Sequence, residues 1–251
     1  MPALAAVCVC AATALVLAIP GQVANPAEPF IAEIERLAEA AGLGLEQVAV
    51  TGHRYTNDGD VFDAVDLGHA RTLLTFDSRA ARARIEQLPW VARASIERVI
   101  PDRIEVRVFE RVPFAVWRLG SRHLLIDRSG RVLMPVYADT MPNLPRLSGE
   151  GAAGGAAALY DLLAARPQLL ARVELAERIG GRRWTLRLSG GGAIHLPADN
   201  EAAALTLAAQ AAAAGIAPDS EIDLRIPGRV LLREKSSEGR DLERLLLDSA
   251  G

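Results

Sequence analysis

Apolar and polar residues alternate twice between residues 88 and 117. In the first stretch Ala92, Ala94 and Ile96 fall on one side and Arg93, Ser95 and Glu97 on the other, the period of a half-buried strand. Val99, Ile100, Pro101 and Asp102 interrupt the pattern, and Pro101 favours an extended or turn conformation at Ile100. Ile104, Val106 and Val108 then alternate with Arg103, Glu105 and Arg107. The pattern predicts a β-hairpin with one face for a core and one in water. Its charges alternate in sign on the wet face, which marks a solvated sheet surface rather than a reaction centre.

Upstream, residues 45–54 read as a strand ending at Gly52. Thr56, Asn57 and Asp58 offer caps for a short helix over about 59–67. Asp77 or Ser78 caps a second helix that buries Ala81, Ile85 and Leu88 and exposes Arg79, Arg82 and Glu86. The predicted order is strand, helix, helix, strand, strand.

Beyond Pro113 short apolar runs separated by turn residues predict a second, sheet-based domain. Its strands are expected at 114–119, 123–127, 131–136, 173–179, 184–188, 221–226 and 229–233. Ala-rich helices are expected at 152–166, stopped by Pro167, and at 199–214, capped by Asp199 or Asn200 and ended by Gly215. In residues 184–188 the alternation puts Trp184, Leu186 and Leu188 on one face and Thr185, Arg187 and Ser189 on the other.

Residues 1–27 carry no charged side chain, and 3–19 are apolar except for Thr13. Seventeen helical residues span about 26 Å, slightly short of the ~30 Å hydrocarbon core. A transmembrane anchor over 1–21 is the favoured reading; a cleaved signal peptide and a buried helix compete with it. A signal peptide calls for a basic n-region, and none precedes the apolar run. Residues 22–44 then form a linker with an amphipathic helix, Phe30, Ile34, Leu37 and Ala41 on its apolar side. Its polar side is mainly acidic, which suits packing against its own domain or a partner helix better than lying on a membrane.

The chemistry-bearing residues form no catalytic constellation. Both cysteines, Cys8 and Cys10, lie in the apolar segment, so no disulfide or cysteine metal site is expected beyond it. His53, His69, His123 and His195 are scattered singly. Gly149, Gly151 and Gly154 satisfy G-x-G-x-x-G ahead of a helix, but the preceding residues 142–146 contain two prolines and read poorly as the buried strand a dinucleotide site needs. Ser189 lacks the flanking glycines of a nucleophile elbow. Asp127, ahead of Gly130, reads as an acceptor for backbone donors in a turn. With 28 basic against 31 acidic side chains and no basic run, clustered cations for nucleic acid are missing. No cofactor, metal or nucleic acid is expected.

Three marks punctuate the first domain: Val50 and Gly52 close its first strand, Leu88, Pro89 and Val91 precede its second, and Glu110, Arg111 and Pro113 follow its third. With the strand-helix-helix-strand-strand order they resemble a POTRA domain. The chain continues with Ala115 and Trp117, then Leu125, Asp127, Gly130, Val132 and Leu133, then Leu144, Pro145, Leu147 and Gly149, and finally Ile222, Asp223, Leu224 and Arg225. This series resembles the FtsQ/DivIB family of bacterial cell-division proteins over about residues 45–233.

The resemblance implies an α+β chain: an N-terminal transmembrane helix, a POTRA domain (β-α-α-β-β) over 45–112, and a domain over 113–233 with an extended, mainly antiparallel sheet and two helices, followed by a tail over 234–251. It implies a non-enzymatic divisome scaffold, anchored in the inner membrane with its domains in the periplasm and concentrated at the septum. Such a scaffold links FtsB-type and FtsL-type division proteins to the division site and helps control septal peptidoglycan synthesis. By the same resemblance Arg183, Trp184, Arg225, Ile226, Val230, Leu231 and Leu232 bind the FtsB-type partner, and Ile96, Arg98 and Glu110 form a recruitment surface. Simple pairing of Asp223 with Arg225 on the sheet, and a core role for Ile96, stand beside those roles. An exposed sheet edge offers unpaired N–H and C=O groups that a partner strand can use. The alternative is an envelope-anchored hydrolase or ligand-binding protein, which requires a concave pocket in the second domain.

Overall fold

The computed structural model describes residues 28–233 except 41, 43, 70, 71, 139, 218 and 227. The apolar segment assigned to an anchor and the tail after 233 lie outside these residues. No helix among the described residues is long and apolar enough to cross a membrane. The chain divides into two compact units, Met1–Glu110 and Arg111–Gly251.

In the first unit α1 (Glu28–Ala40) leads into β1 (Gln47–Thr51), α2 (Asp58–Val65), a 3-10 turn, α3 (Ser78–Ile85), β2 (Val91–Val99) and β3 (Arg103–Glu110). Both short helices begin at the expected caps: the Asn57 carboxamide accepts from Gly59 N–H, and the Asp77 carboxylate from Arg79 and Ala80 N–H. β3 lies between a parallel β1 and an antiparallel β2. Ile104, Val106 and Val108 of β3 are buried against Val61, Val65, Ala81 and Ile85 of the helices; full burial of such a side chain contributes about 1.5–3 kcal/mol.

The alternation of β3 follows its sequence, whereas β2 departs from its own. A register shift between Val91 and Arg93 puts Val91 and Ala94 in the core and leaves Ala92 exposed. An extra residue in one strand resets which side chains face inward. α1 also differs from expectation: Ala38 is buried and Leu37 exposed, and the Glu35 carboxylate accepts from Thr75 Oγ1 at 2.9 Å.

Among the described residues the second unit is one nine-stranded sheet with three helices. Its strands are β4 (Pro113–Leu119), β5 (Arg122–Asp127), β6 (Val132–Val136), β7 (Arg146–Ser148), β8 (Val173–Ile179), β9 (Arg183–Leu188), β10 (Ala193–His195), β11 (Glu221–Asp223) and β12 (Leu231–Arg233); α4 (Ala152–Ala164) and α5 (Pro167–Leu170) precede β8, and α6 (Glu201–Ala213) precedes β11. The order across the sheet is β12-β11-β10-β9-β8-β7-β4-β5-β6. β4–β7, β7–β8 and β10–β11 are parallel and the other five neighbouring pairs antiparallel. The sheet is thus mixed, mainly antiparallel.

Two helices were expected and α5 is a third; it starts with Pro167, the residue expected only to stop α4. Proline suits a first helical position because the N–H it lacks has no partner there. α6 begins without the predicted side-chain cap: Asn200 has φ 64° and makes no capping bond. Ala156, Leu159 and Leu163 of α4 and Ala204, Leu205 and Ala208 of α6 are buried with Leu147, Ala176, Trp184, Leu186, Ile194 and Ile222 of the sheet.

Candidate partner-binding surfaces

The strand registers align an apolar row across the helix-covered face: Leu147, Ala176, Leu186, Ile194, Ile222 and Leu232. The first five are buried, but Leu232 on the terminal strand is 51% exposed. The opposite face carries a polar row through Ser148, Glu177, Thr185, His195 and Asp223 that ends at Leu231, 52% exposed. Because successive strand residues point to opposite faces, β12 offers an apolar side chain on each. Ile226 and Val230, on the loop before it, are also exposed. Among the described residues no strand pairs with the outer edge of β12.

Charges at this edge are paired with one another. The Arg225 guanidinium clamps Asp223: Nε donates to Oδ1 at 2.9 Å and Oδ2 at 3.0 Å, Nη2 to Oδ2 at 2.5 Å, and the Arg225 backbone N–H to Oδ1 at 3.0 Å. That side-chain bonding holds the Asp223 carboxyl down at about 2. His195 Nδ1 lies 3.0 Å from Thr185 Oγ1. Burial pushes the His195 pKa down, with Asp223 opposing. Arg233 and Glu221 approach to 3.9 Å.

Arg183 and Trp184 stand differently. Arg183 is half-buried at the start of β9. Trp184 is 2% exposed, packed in the core with the Arg178 guanidinium 4.7 Å from its ring centroid. Trp184, expected at the partner site, points its ring inward with Leu186 and Leu188 and supports β9 from behind. The same alternation that predicted the strand assigns Trp184 to the apolar face.

Three residues of the first unit carry the recruitment assignment. Ile96 is half-buried on β2 against the core. Arg98 is exposed, and its Nη2 donates to the Phe76 carbonyl at 2.5 Å. One oxygen of Glu110 accepts from the N–H groups of Tyr55 and Thr56 and from Thr56 Oγ1, at 2.8, 2.6 and 2.8 Å. Burial raises the Glu110 pKa, but these donors outweigh it and the net shift is downward. Glu110 therefore ties the end of β3 to the loop after β1.

The glycine motif has a structural use. Residues 142–145, with both prolines, lie outside any strand, and β7 begins after them as a central strand running parallel to β8, with α4 between the two in the chain. Gly149, at φ 93°, passes so close to the end of β8 that a Cβ would sit 2.2 Å from the Arg178 carbonyl oxygen. Its own carbonyl accepts from Trp117 Nε1 at 2.9 Å. Asp127 accepts from the N–H groups of Ser129 and Arg131, as its turn position predicts, and from Ser129 Oγ. Among the described residues no three His, Cys, Asp or Glu side chains are grouped to hold a metal ion.

Residues 43–111 match the family model described as POTRA domain, FtsQ-type, and residues 115–225 match Cell division protein FtsQ/DivIB, C-terminal. Proteins named Cell division protein FtsQ are similar to the chain. The one from Agrobacterium fabrum is 39% identical over 171 residues, 68% of this chain and 54% of the relative. That from Rhizobium meliloti is 37% identical over 170 residues, 68% of this chain and 55% of the relative. That from Rhizobium radiobacter is 38% identical over 155 residues, 62% of this chain and 74% of the relative. The chain belongs to the FtsQ/DivIB family. Its aligned part spans about half the length of the first two relatives. In this FtsQ-family chain the C-terminal match ends at Arg225, so Ile226, Val230 and β12 lie beyond the matched residues.

Proposed function

We propose that this chain is a non-enzymatic docking protein of the divisome. Its apolar segment, residues 1–21, anchors it in the inner membrane, and residues 22–44 link the anchor to two periplasmic domains at the septum. The POTRA domain, residues 45–112, recruits the protein through Ile96 and Arg98, with Glu110 holding the surface in shape. The domain over 113–233 binds an FtsB-type protein, itself joined to an FtsL-type protein, and this assembly helps control septal peptidoglycan synthesis.

The observation that supports this reading is the end of the sheet: Leu231 and Leu232 are half-exposed on a strand with no outer neighbour among the described residues. A partner strand added there gains backbone hydrogen bonds and places apolar side chains over both rows. Arg225 lies beside the edge, held by Asp223, which pre-organises its guanidinium for a partner carboxylate or carbonyl.

Binding of the full chain to the FtsB-type periplasmic segment tests the proposal, with Arg225→Glu as the variant. Glutamate there meets Asp223 and replaces the donor by repulsion. At least a tenfold loss of affinity, with an unchanged circular dichroism spectrum, is expected. Equal binding would move the site away from Arg225, and no binding by either form would overturn the partner assignment.

A further inference from the structure

The face of the nine-stranded sheet opposite the helices holds a cavity of about 400 Å³ over β4, β7, β8 and β9, within the range of small-molecule sites, roughly 300–1,000 Å³. Arg118 of β4, Arg146 of β7 and Arg187 of β9 line it, with His123 of β5 beside Arg118 and with Val116 and Leu175 among them. The strand registers explain the meeting. Arg146 is level with Val116, and Leu175 with Arg187. Because Leu147 is level with Ala176, Leu175 also stands level with Arg146. The row therefore reads Val116, Arg146, Leu175, Arg187. With strands ~4.8 Å apart, the backbones of Arg146 and Arg187 are about 10 Å from one another with one apolar side chain between them. Arg118, two residues along β4 from Val116, points to the same face.

Little of this charge is neutralised. Arg118 has no ion pair among the described residues. Arg146 Nη1 donates to the uncharged Ala138 carbonyl at 2.5 Å. Arg187 Nη2 stands 3.5 Å from the Glu177 carboxylate. Glu174 supplies the one carboxylate of the lining among the described residues, and it is exposed at the bulge of β8.

A second observation comes from Ser148, level with Arg118 on one side and Glu177 on the other, and two residues along β7 from Arg146. It is 3% exposed, and its hydroxyl has no hydrogen-bond partner among the described residues. A buried hydroxyl without a partner costs free energy. This one lies on the face that carries the arginines.

We propose that this cavity binds a compact, multiply charged phosphate group of the diphosphate type, free in solution or carried as a lipid headgroup. Guanidinium forks match phosphate oxygens two at a time. Three of them, spread over separate strands rather than along one line, suit a compact anion better than the linear charge of an acidic polypeptide. Glu174 opposes the ligand and keeps its binding readily reversible. The site is separate from the edge at β12, so its failure would leave the proposed docking of the FtsB-type partner untouched.

The test titrates the full chain, held in phosphatidylcholine nanodiscs, with inorganic diphosphate, and with inorganic phosphate and polyglutamate for comparison. Diphosphate is expected to saturate one site, at least fivefold more tightly than phosphate, and to weaken as salt rises. Arg118→Gln and Arg187→Gln are each expected to lose at least fivefold with an unchanged melting profile. Glu174→Gln is expected to gain at least twofold, a change of opposite sign that damage to the fold would not produce. Nanodiscs that also contain phosphatidic acid separate the two sources. Weaker diphosphate binding in them, with no such difference in the arginine variants, assigns a lipid headgroup; equal binding assigns a soluble phosphate. Absence of saturation at millimolar diphosphate, indifference to the arginine and Glu174 changes, or equally tight binding of polyglutamate would each overturn the proposal.

Discussion

Arg111 and Asp127 form a buried ion pair, Nη1 to Oδ2 at 2.7 Å, with side chains 18% and 8% exposed. Asp127 closes the turn between β5 and β6, and Arg111 stands just ahead of β4, so the pair joins the start of the second unit to its first hairpin. The other oxygen of Asp127 holds Ser129 and Arg131. This carboxylate is satisfied only while both sets of donors are present.

Removing Arg111 is therefore expected to cost about 3–5 kcal/mol, because a desolvated carboxylate would remain without its cation. Urea unfolding of Arg111→Ala checks this. The Arg111→Met/Asp127→Leu double variant is not expected to recover the loss, since the N–H groups of Ser129 and Arg131 would then lose their acceptor. Full recovery in that variant would contradict the account.

Acid should weaken both units. Burial raises the pKa of Asp127, but Ser129, Arg111 and Arg131 bring it below the ordinary carboxylate value; Glu110 is likewise lowered by the Thr56 and Tyr55 donors against the effect of burial. A depressed folded-state pKa contributes stability that is present above the unfolded value and lost as pH falls through the folded one. Melting temperature is expected to decline below about pH 4.5, and less steeply in Glu110→Gln. Identical acid slopes for wild type and variant would exclude Glu110 as a contributor.

Gly52 and Gly120 separate two costs of adding a methyl group. Both have positive φ, 82° and 61°, but a Cβ at Gly52 would lie 2.4 Å from the Val108 carbonyl oxygen, whereas at Gly120 nothing lies within 4 Å. Gly120→Ala is expected to cost about 1–2 kcal/mol for the left-handed backbone alone. Gly52→Ala is expected to cost more, since β1 must also move away from β3. Chemical denaturation of the two variants checks the order.

Trp184 and Leu232 should separate stability from binding. Trp184→Ala removes a buried ring and is expected to cost about 3–5 kcal/mol. Leu232→Ala should leave the unfolding midpoint nearly unchanged and weaken the FtsB-type partner by at least tenfold. Wild-type affinity in a folded Leu232→Ala chain would place the partner elsewhere.

The periodic elements were legible in the sequence because their information is local. Ile104, Val106 and Val108 announce a strand by spacing, Asn57 and Asp77 announce helix starts by the donors their side chains can satisfy, and the ordered motifs from Val50 to Arg225 point to the family. Tertiary structure decided what depends on distant neighbours. β7 and β10, three residues each, are too short to show a period and exist because flanking strands supply their hydrogen bonds. The bulge that turns Ala92 outward is set by pairing with β3. The partnership of Arg111 with Asp127, and the meeting of Arg118, Arg146 and Arg187 around one cavity, arise only when separate elements pack, since no local spacing encodes a contact across the fold.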